Sequence, residues 1–549
     1  MPEQTQFKFK RIKSFTTKIT MKMLIVILFV FIYTDDIYSQ PDTKKSFDSK
    51  HQPGVTKAEE ASLPAISLKE GKAFVKGKVF GYVPAAGNSV RVLYSNPIMN
   101  ESETFDVDIS ENGEFFMNVP LLSNATCLFM SDYYREYILL SPGDTCSVHI
   151  HADKIENING FDAIKRSNID DKYVRFDGAF ATVNNELNDI RFWSKSIKFF
   201  RYKNDYQNPT QYKTDILSDL EKSLEELLTS NISEQTKELI TINLQQSVIL
   251  LLLNNNTIVG NHFDKGDLST SAVDTGYFTF LEEMNLNSNY SFYGRFFSNV
   301  ISNCRQIERF LTPLNELMDK SDMPPKPLAY EMIKRQKDYL ARVLKEDNGP
   351  AFDLLEVMSF SSKIKSQLTL EEWEMERLKQ LKVPLYYDYS IRKNELLSIR
   401  LQEIREKSTS VILDVSAKPK ENYFEDIISL YEGKTIMVNY WSLGCWGALN
   451  ALDVIEPLKT KYKNKDVAFI YLTDDSFLYQ VWENKALQVD GIHYRLNKKQ
   501  IDYILSKFEM RDVTPSFLVF DKKGQSVFKS EGYSENVIKN IFDTIDKEL

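Results

Sequence analysis

Residues Tyr440 to Leu449 read YWSLGCWGAL, with one cysteine, Cys445, set between an apolar strand and the start of a helix. A cysteine at a helix N-terminus meets free N–H groups and the positive end of the helix dipole, both of which favour the thiolate, so this position makes a nucleophile. Two-electron cycling within one loop requires a second thiol beside the first. The other cysteines are Cys127, Cys146 and Cys304, all distant in sequence. The loop can therefore close no internal disulfide. What is left to it is monothiol chemistry: a mixed disulfide with a client protein or a small thiol, released by an external thiol reductant or by a distant cysteine such as Cys304.

Other candidate groups are weaker. His149 and His151 fall on one face of a strand, as two metal ligands would, but no third ligand is evident, and a solvated edge is the simpler reading. Asp474-Asp475 follows an apolar strand and reads as a pair of solvated loop carboxylates rather than an acid–base pair. The aromatic group Phe192, Trp193, Phe199 and Phe200 reads as core and interdomain surface. Phosphate-binding glycine loops, zincin motifs and nucleophile elbows do not occur. The cysteine would carry the chemistry, so no metal or organic cofactor is called for.

The elements that must position Cys445 lie at the end of a chain of 549 residues, too long for one core. Between residues 69 and 152 the apolar period is two. Phe105, Val107 and Ile109 lead into Asn112-Gly113, and Phe115, Met117 and Val119 lead out, which predicts a hairpin within a small β-sandwich. Cys127 and Cys146 fall in this region, and whether they pair is a matter of Cα separation. Residues 164–408 change to the helical period, as in Ile216, Leu220, Leu224 and Leu227. There Thr369 and Glu372 have capping-box spacing, and Pro384 reads as a stop. Met323 to Pro327 separates two helical parts. The apolar run Val248 to Leu253 is a buried helix face, too short to span a membrane. In residues 411–549 apolar strands alternate with helices, which predicts a partly parallel sheet covered on both faces, ending in a hairpin around Asp521 to Gly524.

This last segment resembles the thioredoxin fold, and in particular the exported TlpA-like thiol-disulfide oxidoreductases. Val438-Asn439-Tyr440-Trp441 matches the strand that ends in Asn-[Phe/Tyr]-Trp in that family, Cys445 stands where the first cysteine of the C-x-x-C motif belongs, and Thr514-Pro515 matches the cis-proline that faces it. The resemblance implies that Cys445 is the catalytic nucleophile, that Thr514 and Pro515 shape the substrate groove, and that Trp441 and Trp446 flank it. The departures are as specific: Ala448 stands where the second cysteine belongs, and Gly444 where the family often has an aromatic. Pro457 would kink the following helix. Upstream, Asn112-Gly113-Glu114-Phe115 and Ser141-Pro142-Gly143-Asp144 resemble a domain of unknown function that often precedes such thioredoxin-like domains. The expected fold class is thus multidomain α+β: an N-terminal β-sandwich, an α-helical middle region and a C-terminal thioredoxin-like α/β domain.

The N-terminus sets the expected compartment. A basic stretch precedes the eleven apolar residues Met23 to Tyr33, and small or polar residues follow at Ser39 and Gln40. That is the layout of a signal peptide over residues 1–39, since a span needs about 20 apolar residues. Residues 40–68 read as a flexible linker, and the protein is expected in the periplasm or cell envelope. The chain carries a formal charge of −9, which disfavours nucleic acid as a partner. The rival to a thiol enzyme is a redox-silent binding or scaffold protein that keeps the fold for its groove.

Overall fold

The computed structural model describes residues 62–84, 88–154, 173–192, 209–253, 275–311, 325–418 and 422–549. The expected signal peptide, most of the expected linker, and Trp193, Phe199 and Phe200 lie outside the described residues. The last residues of the expected linker are packed rather than free. Leu63 is buried and its N–H donates to Glu238 Oε2 at 2.8 Å, while the Tyr293 hydroxyl donates to the Pro64 carbonyl at 2.7 Å.

Eight strands open the described chain: β1 (Gly71–Phe80), β2 (Ser89–Asn96), β3 (Glu101–Asp108), β4 (Glu114–Leu121), β5 (Ala125–Ser131), β6 (Arg135–Leu140), β7 (Thr145–His151) and β8 (Val174–Gly178). They form two four-stranded sheets, ordered β4-β1-β7-β8 and β3-β2-β5-β6. Inward residues of both sheets, among them Val75, Val119 and Val148 from one and Val92, Phe129 and Ile138 from the other, make a single apolar core. The expected hairpin at Asn112-Gly113 does not form, because β3 pairs with β2 and β4 with β1. The turn carries the chain from one sheet to the other. Alternation fixes which face of a strand is buried but not which strand lies beside it. Gly113 has φ +79°, and a Cβ there would lie 2.3 Å from the Val79 carbonyl oxygen.

Helices follow: α1 (Ala181–Ile190), α2 (Pro209–Leu228), α3 (Glu234–Leu253), α4 (Phe297–Leu311), α5 (Pro325–Leu344), α6 (Pro350–Lys365), α7 (Glu372–Lys379) and α8 (Pro384–Lys407). Four of them begin on proline, whose fixed φ suits the first helical position and whose missing N–H would have no partner there. Pro384 therefore starts α8 instead of stopping the helix before it. The capping interaction of α7 sits two residues later than the Thr369–Glu372 spacing suggests, with the Glu371 N–H donating to Glu374 Oε2 at 2.7 Å. Among the described residues no helix is long and apolar enough to cross a membrane.

The C-terminal elements are β9 (Val411–Asp414), α9 (Tyr423–Ser429), β10 (Thr435–Tyr440), α10 (Trp446–Leu458), β11 (Val467–Asp474), α11 (Tyr479–Ala486), β12 (Ile492–Leu496), α12 (Lys498–Lys507), β13 (Ser516–Phe520), β14 (Ser526–Glu531) and α13 (Glu535–Glu548). Their sheet runs β14-β13-β10-β11-β12-β9, parallel from β10 to β9 and antiparallel at β13 and β14. Met437, Trp441 and Tyr471 face α10, α11 and α13, while Ile436, Val438 and Tyr440 face α9 and α12. Every residue of β10 is buried because helices cover both faces of its sheet, which is why TIMVNY is nearly continuous in apolar character. Pro457 falls next to the end of α10, which continues as a 3-10 turn over Lys459–Tyr462. By packing, the described residues fall into two units, one within Asp36–Ser362 and Glu371–Ile391, the other including Lys363–Leu370 and Arg392–Leu549.

His493 on β12 is buried, stacked on Tyr471 with ring centroids 4.7 Å apart, and its Nε2 lies 2.7 Å from the Val489 carbonyl oxygen. Desolvation lowers its pKa to about 4. The folded state then holds the ring neutral where the unfolded chain, titrating near 6.5, binds a proton, so stability is expected to fall as pH drops from 6.5 to 4. In denaturant unfolding at a series of pH values, His493→Gln should remove a slope worth up to about 3 kcal/mol across that window. Gly113→Ala should cost at least about 1–3 kcal/mol by the same assay, from the strained φ and the clash with Val79.

Candidate functional site

The chain leaves the sheet at the end of β10. The Trp441 N–H extends the ladder by donating to the Leu472 carbonyl at 2.9 Å, and the indole is 0% exposed, packed in the core with Ala448, Ala451 and Leu452 of α10. Trp441 thus cannot line a groove, contrary to the sequence expectation. Strand alternation from Met437 carries it to the face that α10 covers. Trp446 is the opposite case: the first residue of α10, it is 76% exposed.

Between the two tryptophans lies the loop Ser442-Leu443-Gly444-Cys445. The Gly444 N–H donates to Ser442 Oγ at 3.3 Å, and Phe477, from the loop after β11, places its Cζ 3.2 Å from where a Gly444 Cβ would sit. The space that an aromatic before the cysteine would need is thus occupied from another loop. Cys445 is the N-cap residue of the 13-residue α10, with φ −113° and ψ 111°, and its carbonyl accepts the Ala448 and Leu449 N–H groups, each at 3.1 Å. Its sulfur does not cap the helix. Instead Sγ donates to the Thr514 carbonyl at 3.0 Å, with the residue half-buried. Ala448, one helical turn on, is 0% exposed.

The opposing wall is the segment before β13. The Thr514–Pro515 peptide bond is cis. Pro515 is buried, and its carbonyl accepts the Gly532 N–H at 2.8 Å. A Cβ on Gly447 would lie 3.8 Å from Pro515 Cδ, 3.9 Å from Cys445 Sγ and 3.6 Å from Tyr533 Cβ, so Gly447 is the point where helix, proline and sulfur meet. The structure thus brings Cys445, Thr514 and Pro515 together, with the exposed Trp446 next to Cys445 in the chain.

Sequence reasoning missed Tyr440, Asp512, Phe477 and Tyr533. The Tyr440 hydroxyl donates toward Asp512 Oδ1 at 3.3 Å and Asp474 Oδ2 at 3.5 Å. Burial, then the two carboxylates, push this phenol well above its ordinary range. Asp474 also accepts from the Ser476 N–H at 3.0 Å and from the Ser476 hydroxyl, so it organises its own loop. The one sequence signal for Tyr440 was its place on β10 opposite Trp441 in the alternation.

The remaining cysteines are of another kind. Cys127, Cys146 and Cys304 are buried, unbridged thiols, each pushed up to about 12 by desolvation. They are protonated at neutral pH. Cys304 as placed is therefore no nucleophile to resolve an adduct on Cys445. His149 and His151 lie beside Phe80 and contact Asp177 at 3.3 Å and Asp153 at 3.5 Å respectively. Among the described residues no group of three or more His, Cys, Asp or Glu side chains is placed to hold a metal.

The parallel β10–α10–β11 unit, the antiparallel β13–β14 pair with α13, and a cis-proline facing the N-terminus of α10 make this a thioredoxin-like α/β arrangement. No protein-family model matches the chain, and no curated protein matches it in sequence. Among the solved structures that match it, the three that follow do so over 21–22% of its length. One is the thioredoxin domain of a thiol-disulfide oxidoreductase from Bacteroides vulgatus (14% identity, 21% of this chain and 83% of that one, TM-score 0.19). A thiol:disulfide interchange protein of the thioredoxin family from Chlorobium tepidum gives 16% identity over 22% and 81%, with TM-score 0.19. The exposed lipoprotein thioredoxin of Streptococcus pneumoniae gives 19% identity over 22% and 89%, with TM-score 0.18.

The contrast between the tryptophans is measurable. Trp441→Ala should destabilise the protein by about 3–5 kcal/mol in denaturant unfolding, whereas Trp446→Ala should stay within about 0.5 kcal/mol of the parent.

Proposed function

We propose that the protein is an exported, TlpA-like thioredoxin-fold protein whose Cys445 acts as a monothiol in disulfide exchange with client proteins or small thiols. The observation that carries this reading is the pairing of a half-buried Cys445 at the N-cap of α10 with the Thr514-Pro515 wall, while Ala448 fills the position one turn away. The half-buried sulfur at a helix N-terminus, facing the cis-proline segment, supports a nucleophilic role for Cys445.

The exchange balances without a cofactor. The Cys445 thiol loses its proton to solvent, and its thiolate attacks one sulfur of a client disulfide. A Cys445–client disulfide forms, the client's own S–S bond breaks, and the departing client thiolate takes up a proton. Because Ala448 carries no sulfur, the loop cannot resolve the adduct; the freed client thiol can reverse it, and an external thiol that attacks the client sulfur regenerates Cys445 and is left disulfide-bonded to the client. Such a step belongs in an oxidising compartment, and the basic-then-apolar N-terminal sequence supports export to the periplasm or cell envelope. One feature favours the redox-silent binding reading instead: the Cys445 thiol is engaged by the Thr514 carbonyl and caps no helix N–H.

The discriminating experiment uses a disulfide-bonded model peptide and non-reducing mass analysis. The parent chain should accumulate a one-to-one adduct on Cys445 that lasts until a reductant is added. Ala448→Cys should release the peptide in reduced form and end with an internal disulfide to Cys445. No adduct in the parent and no internal disulfide in the variant would leave the binding reading.

A further inference from the structure

Four residues lie between Tyr440, at the end of β10, and Cys445, and both side chains touch one other segment, Met510–Pro515. Cys445 Sγ donates to the Thr514 carbonyl at 3.0 Å, and two residues earlier Asp512 accepts from the Tyr440 hydroxyl at 3.3 Å. The second Asp512 oxygen pairs with Lys498 Nζ at 2.6 Å. On the far side of Asp512, Arg511 is tied to Glu531 through its N–H at 2.7 Å and its Nε at 2.6 Å. Between Asp512 and Thr514, the Val513 carbonyl accepts the Ser516 hydroxyl at 2.6 Å.

An apolar cavity of about 300 Å³, counting its open mouth, is lined by Val438, Tyr440, Leu472, Met510, Ser516 and Leu518. The segment is tied by polar contacts at Arg511, Asp512, Val513 and Pro515, and the contact at Asp512 joins it to the side chain of Tyr440, whose backbone also pairs with Ser516 in the β10–β13 ladder.

We propose that Asp512 is a positioning residue for Cys445: held by the Tyr440 hydroxyl, it keeps the Thr514 carbonyl over the sulfur and so sets how readily the thiol reacts. Asp512 touches neither the sulfur nor a client, and acts through Val513 and Thr514. The inference rests on the monothiol reading, because it concerns the same sulfur.

The test is the rate at which N-ethylmaleimide alkylates Cys445 in the folded full-length chain at fixed pH, followed by peptide mass mapping. Asp512→Ala and Tyr440→Phe should each raise that rate by about two- to tenfold, the span expected for the loss of one or two hydrogen bonds. Asp512→Asn keeps an oxygen acceptor for the tyrosine and should remain within about twofold of the parent. The double variant Tyr440→Phe/Asp512→Ala should be no faster than the faster single variant, since both changes cut one connection. A parent-like denaturant midpoint, read from the fluorescence of Trp441 and Trp482 buried in the same unit as the substitutions, reports that each variant is folded.

Unchanged rates in both single variants, or rates that multiply in the double variant, would overturn the proposal. If Cys445 is inert in the parent, reactivity gained in Asp512→Ala supports it and continued inertness refutes it. The monothiol reading fails separately, when Cys445 is alkylated yet never forms an exchangeable mixed disulfide.

Discussion

The burial of β10 between two helical layers is the constraint from which the site follows. A strand covered on both faces can leave its sheet only at an end, and its last side chains must be divided between the layers. Trp441 goes to the α10 side and Tyr440 to the α12 side. With the indole fixed under α10, the loop has three residues in which to reach the helix N-terminus, and Cys445 becomes the N-cap. The phenol, sent the other way, meets the segment that carries Thr514 and Pro515. One alternation thus supplies both the support beneath Cys445 and the connection to the wall opposite it.

The chemistry of the loop is defined by what stands around one sulfur. Three of the four thiols are removed from reaction by burial, which keeps them protonated at neutral pH. Cys445 differs in being half-buried, at a helix end, and in hydrogen-bond contact with the Thr514 carbonyl across from it. Ala448 sits fully buried in the first turn of α10, among Trp441 and the other core residues. Its methyl group completes the packing at the position where a second cysteine would make a dithiol.

Much of this was legible in the sequence for local reasons. TIMVNY announces a strand buried on both faces, the helix after Cys445 has an apolar side at Leu452 and Ile455, and Thr514-Pro515 stands before a strand. What was not legible depends on which elements become neighbours. Asn112-Gly113 predicts a turn correctly but not that the strands it joins belong to different sheets. The resemblance places Trp441 at the groove, whereas the alternation from Met437 puts it on the face that α10 covers. Tyr440 and Asp512 are 72 residues apart, and only the pairing of β10 with β13 puts them in reach. The four described helices that begin on proline show the same limit in reverse, since proline marks a boundary without saying which side of it is helical.

The account's central claim, that Cys445 alone is an exchangeable thiol, is tested most directly by titrating the native protein with 4,4′-dithiodipyridine and mapping the modified residue. The account predicts release of one equivalent of thiopyridone, with the mixed disulfide located on Cys445 and stable until a second thiol is added. Release only after denaturation, or modification spread over Cys127, Cys146 and Cys304 in the folded chain, would contradict it.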